Sequence, residues 1–129
     1  MALTRRGGLR RCAVAGAVLL LAGLAVSPAH PHAIVTKTTL QDRPILADVA
    51  TPVILYFNSR IEPGFTKVLL VEESKRERAL DVTPGQRGDT LTVLVPPLAP
   101  GAYALRYKVL AVDGHVTEGI LRFRVRPAK

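Results

Sequence analysis

The stretch "AYALRYKVLAVDGHVTEGILRFRVR", residues 102–126, decides the fold. Its first part alternates Tyr103, Leu105, Tyr107 and Val109 with Ala102, Ala104, Arg106 and Lys108. Its last part alternates Leu121, Phe123 and Val125 with Arg122, Arg124 and Arg126. Successive side chains in a strand point to opposite faces. Each part therefore predicts a strand that buries one face and wets the other. "VDGH" lies between them, and "DG" is a common turn dipeptide. A turn needs Gly114; it does not need His115.

Working outward, the rest of the chain reads as short strands bounded by turn residues. "PVILYF" (52–57) is largely apolar and suits a central strand buried on both sides. "EPGF" (62–65) reads as a turn before the strand "TKVLLVEE" (66–73). "RALDV" (78–82) is a short candidate before "TPGQRGD", and "TLTVLVP" (90–96) stops at "PLAPG". No stretch shows a sustained helical period, and the ten prolines would interrupt helices. About seven strands with regularly spaced turns predict one all-β domain, a seven-stranded antiparallel Greek-key sandwich or barrel of immunoglobulin-like type.

The amino-terminal part reads differently. "TRRGGLRR" supplies Arg5, Arg6, Arg10 and Arg11, an apolar run covers residues 13–26, and "SPA" places small residues at Ser27 and Ala29. This is the order of a cleaved secretory signal. The run is about fourteen residues, short of the roughly twenty that span a bilayer. Residues 1–29 are thus expected to be a signal peptide and 30–129 the exported domain, periplasmic or otherwise extracytoplasmic. Arg5-Arg6 leaves the route open between the general and the twin-arginine pathways. Four of the 18 basic residues go with the signal, leaving 14 against 10 acids, a net of +4. No basic cluster with interleaved aromatics supports nucleic-acid binding. The single cysteine, Cys12, and the single methionine, Met1, are lost as well. The mature domain therefore has no disulfide, no thiolate and no thioether.

The three histidines fall in two places, His30 and His32 in "HPHAIV" and His115 in "DGH". If the strand runs on through them, Asp113 and His115 point to the same side, which makes half of a metal site. A terminal histidine would supply the other half, offering both its ring and its α-amine; the amine titrates near 7.7–8. Three nitrogens and one oxygen in a near-square arrangement suit Cu(II), whereas Cu(I) prefers sulfur. An x-x-His copper clip is excluded for "HPH", because Pro31 has no N–H to lose.

"HAIV", "VILYFNSRIEPGFTKVLLVEE" and "PPLAPGAYALRYKVLAVDGHVTEGILRFRV" resemble the CopC family of periplasmic copper-resistance proteins. The resemblance covers nearly all of residues 30–129. It implies a seven-stranded Greek-key domain that binds one Cu(II) per chain through an amino-terminal histidine, Asp113 and His115. Counted back from the first strand, the family's early histidine aligns with His32, whereas cleavage after Ala29 makes His30 the first residue. Many members have a glutamate in "FSE"; here "FNS" puts Ser59 there, with Glu62 three residues on. Without a methionine-rich segment the chain resembles the Cu(II)-only kind. A CopD-like membrane copper-transport protein is the partner that the resemblance implies.

The expectation is a binding protein that sequesters or delivers Cu(II), not an enzyme. One alternative is a structural or adhesion sandwich without metal, its histidines ordinary loop residues. The other is a histidine-brace copper oxidase. Such enzymes need an open coordination position and an aromatic sugar-binding face; this chain has no Trp, and Tyr103 and Tyr107 fall in an apolar set. A blue-copper carrier is excluded by the missing cysteine.

Overall fold

The computed structural model describes residues 33–129; the expected signal peptide, His30 and His32 lie outside the described residues. Nine strands follow in order: β1 (Val35–Thr38), β2 (Ile45–Leu46), β3 (Thr51–Phe57), β4 (Ile61–Glu72), β5 (Glu77–Ala79), β6 (Val82–Pro84), β7 (Thr90–Val95), β8 (Gly101–Ala111) and β9 (Val116–Arg126). They form two sheets, β1-β3-β7-β6 and β2-β9-β8-β4-β5. Strands distant in the chain lie side by side, as in a Greek-key sandwich.

The alternation of β8 and β9 holds as read. Leu105, Tyr107, Val109 and Val125 are buried, while Arg106, Lys108, Arg122, Arg124 and Arg126 are exposed. The inward side chains meet Val53, Leu55 and Phe57 of β3, Val68 and Leu70 of β4, and Leu91, Val93 and Val95 of β7 in one core cluster. The Phe57 and Tyr107 rings meet edge to face across the sandwich, with centroids 5.7 Å apart. Tyr103 stacks on its cross-strand partner Phe123 at 5.8 Å. Gly119 stands opposite Tyr107, and a Cβ there would overlap the tyrosine ring.

Four local expectations are corrected. The count among the described residues is nine strands rather than seven, because β2 has only two residues and the "RALDV" strand is divided. Leu80 N–H donates to Val68 C=O of β4, while Asp81 C=O accepts from Leu94 N–H of β7. The chain therefore changes sheets at the 80–81 peptide. The sheets are not wholly antiparallel, since β2 pairs parallel with β9. β3 is central, between β1 and β7, but buries only one face fully, with Val53, Leu55 and Phe57 inward. "EPGF" does not separate strands; it bulges out of β4. Glu62 pairs with Leu110 and Lys67 with Lys108, so residues 63–66 stand opposite Val109 alone. Pro63 cannot donate to the ladder, which confines it to such an irregularity. Thr66 Oγ1 closes the bulge by donating to Glu62 C=O at 3.1 Å.

Candidate metal centre

β8 and β9 are joined by a tight hairpin. Gly114 N–H donates to Ala111 C=O at 2.9 Å, and Ala111 N–H donates to His115 C=O at 2.8 Å. Gly114 has φ +90°. This is a three-residue loop closed by a glycine bulge, and glycine takes the positive φ without steric cost. The strand does not run on through Asp113 and His115, so the same-side argument is corrected. They meet because Asp113 folds back over the turn. Its Oδ1 accepts the His115 N–H at 3.0 Å, as aspartate does in turns. The same Oδ1 stands 3.2 Å from His115 Nδ1, with both side chains about half exposed.

The His115 backbone N–H is the main cause holding the Asp113 carboxyl below its ordinary 3.8; desolvation opposes it, and the imidazole's hydrogen bond and charge add lesser lowering effects. A depressed carboxylate stabilises the fold above its unfolded pKa and loses that contribution as pH falls through the folded one. Asp113 is accordingly ionised throughout the neutral range. Donors about 2.0–2.1 Å from one ion and at right angles lie roughly 2.9 Å apart. The 3.2 Å pair is close to that spacing, and both atoms are of kinds that ligate metals. Among the described residues, no three His, Cys, Asp or Glu side chains gather as a metal site. The turn thus presents two donors and needs others.

The turn is tied to the place where the chain joins the sandwich. Val112 N–H donates to Arg60 C=O at 3.1 Å. Two residues earlier, Asn58 grips Ile34 at both backbone groups: Asn58 Oδ1 accepts Ile34 N–H at 2.9 Å, and Asn58 N–H donates to Ile34 C=O at 3.1 Å. Ala33, the first described residue, is fully buried. The anchors at Asn58 and Arg60 are at most about 7 Å apart along the chain. The β3–β4 connection therefore holds the DGH turn with one hand and the start of the sandwich with the other. Nothing in residue type alone marked Asn58 for this role; "FNS" drew attention only to Ser59. The Ser59 hydroxyl is buried with no hydrogen-bond partner among the described residues, and Glu62 is exposed on β4 opposite Leu110. Replacing Asn58 with alanine removes the side-chain half of the grip, at about 0.5–1.5 kcal/mol. Hydrogen exchange at the Ile34 amide should then quicken about two- to thirteenfold, with amides of the β8 centre unchanged.

Residues 35–126 match the CopC domain family. The chain belongs to the CopC family. No curated protein matches the sequence, but solved structures do. CopC from Methylosinus trichosporium OB3b is 24% identical with a TM-score of 0.66, over 76% of this chain and 97% of that one. PcoC, a methionine-rich copper resistance protein from Escherichia coli, is 20% identical with a TM-score of 0.56, over 74% of this chain and 99% of that one. Unlike that methionine-rich relative, this CopC chain has no methionine beyond Met1.

Proposed function

We propose that this chain is an exported copper-binding protein that carries one Cu(II) as cargo for copper resistance or homeostasis, and is not an enzyme. Asp113 supplies the charge-neutralising oxygen and His115 a ring nitrogen. The freshly exposed chain start supplies the rest, through His30 with its amine or through the ring of His32. Membership of the CopC family supports copper, and the absence of sulfur from the exported chain favours Cu(II) over Cu(I). The observation that carries the reading is the Asp113–His115 pair, held 3.2 Å apart on a turn bonded to Arg60, two residues from the Asn58 that holds Ile34. A periplasmic location and a CopD-like membrane partner complete the proposal.

Calorimetric titration of the exported protein with Cu(II) should show one ion per chain, bound more tightly than micromolar. Affinity should fall as pH falls, because nitrogen ligands must shed protons to bind; Asp113, already ionised, is not the group that limits it. Binding weaker than micromolar would leave a sandwich without metal. Copper-dependent hydrogen peroxide formation from ascorbate and oxygen would point to the oxidase instead. Mass spectrometry of the first residue decides which histidine holds the free amine.

A further inference from the structure

The outer face of the five-stranded sheet has a composition that the copper site does not use. Registers place its side chains in rows. Lys67, Lys108 and Glu118 form one row; Leu69, Arg106 and Ile120 the next; then Val71, Ala104 and Arg122; then Ala102 and Arg124; and Arg126 stands beside Leu46 at the far end. Glu77 joins from β5 opposite Val71, and Glu62 lies opposite Leu110. Six cations therefore meet three carboxylates, a surplus of +3, where residues 30–129 as a whole carry +4. Three of the four net charges of the domain are on one sheet face.

The carboxylates are not near the main group of cations. Glu77 pairs with Arg106 at 2.8 Å and Glu118 with Lys108 at 3.0 Å. Arg122, Arg124 and Arg126 have no ion-pair partner among the described residues. They recur at every second position of β9 and span about 13 Å. At their end of the sheet, Arg43 and Asp42 join them around a cleft of about 280 Å³. Lys67 directly opposes Lys108, a like-charge pairing that costs stability. The sequence thus tolerates repulsion on this face.

We propose that this face docks on an anionic phospholipid surface. Several features favour a bilayer over an acidic protein. A sheet face is broad, and all three arginines of the row are exposed. The exposed apolar residues Leu46 and Ile120 stand singly among the charges, while Phe65, Leu110 and Val116 gather at the end of the sheet near the DGH turn. The outward positions beside the arginine row, Ala102, Ala104 and Leu46, include none of the Tyr, Trp, Phe or Met that enrich the cores of protein interfaces; the one exposed aromatic on this face, Phe65, lies at the other end, beside Lys67 and Lys108. Basic residues near an anionic leaflet bind by charge alone, each adding a comparable increment. Docked flat, the domain would keep the DGH turn at the rim, at the opposite end of β9 from Arg126. The inference is independent of the copper reading.

The test is sedimentation of the exported protein with vesicles of phosphatidylcholine alone and of phosphatidylcholine mixed with phosphatidylglycerol, at low and high salt. Binding is expected only to the anionic vesicles and only at low salt. The triple variant Arg122→Gln, Arg124→Gln, Arg126→Gln should lose about a hundredfold in partition. The charge-keeping triple with lysines at those positions should bind like the parent. The control Lys37→Gln, Lys75→Gln, Arg87→Gln removes the same charge elsewhere and should change binding only a few-fold. Equal loss in the two glutamine triples, or equal binding to both vesicle types, would overturn the proposal. So would capture by soluble polyglutamate with the anionic vesicles left bare, which would assign the face to an acidic protein.

Discussion

Replacing His115 with alanine should lower Cu(II) affinity at least about a hundredfold while leaving the fold intact. Groups that merely orient a ligand are worth about 10–100-fold in metal affinity, and His115 is proposed as a ligand itself. Its side chain is about half exposed, so its loss opens no cavity. The turn survives because its bonds are made by the backbone of Ala111, Gly114 and His115 and by Asp113 Oδ1. Asp113→Asn separates charge from geometry. The hairpin should give up the ionised carboxylate's contribution at neutral pH but keep its shape, because the amide oxygen can still accept the His115 N–H. Copper binding should weaken nevertheless, because a neutral amide no longer balances the ion's charge. Calorimetry for copper and thermal melting for the fold read the two effects apart. Copper affinity unchanged in His115→Ala would remove the DGH turn from the site.

Leu105→Ala should be among the most damaging single changes to the fold. Leu105 is fully buried on β8, the central strand of the larger sheet, in register with Leu70 on one side and Leu121 on the other. Truncating such a leucine costs about 2–5 kcal/mol, against a total of about 5–15 for a domain. With one core and no disulfide to limit unfolding, a domain of this size should lose about 4–8 °C in Tm per kcal/mol. Leu94→Ala is the comparison. Leu94 is roughly half exposed on β7, and surface changes of this kind stay within about 0.5 kcal/mol. Denaturant unfolding of both variants checks the contrast. A cost below about 1 kcal/mol for Leu105→Ala would mean that the two sheets do not close on this strand.

What was legible in the sequence was whatever is local. The strict alternation in β8 and β9 could be read because each buries one face and wets the other. The nearness of Asp113 and His115 could be read because Asp-Gly chemistry builds its own turn, even though the geometry is a folded-back carboxylate rather than two side chains along one strand. The rest depends on partners far away in the chain. Two residues of β2 have no period to detect. The sheet change at the 80–81 peptide leaves no compositional mark. "EPGF" contains turn residues, yet only the register with β8 shows that the strand resumes beyond it. Asn58 and Arg60 connect the DGH turn to the start of the sandwich largely through backbone groups, which every residue type carries. No motif could have announced them.

In the proposed site one ion is shared between the chain start and the DGH turn. The most direct measurement is the loss of backbone amide signals in a nitrogen-15 correlation spectrum of the exported protein after one equivalent of paramagnetic Cu(II). Signals of residues 33–34, 58–60 and 111–116 should broaden together, leaving the Arg122–Arg126 end of β9 sharp. Broadening around His115 with Ile34 and Asn58 still sharp, or broadening centred elsewhere, would contradict a shared ion.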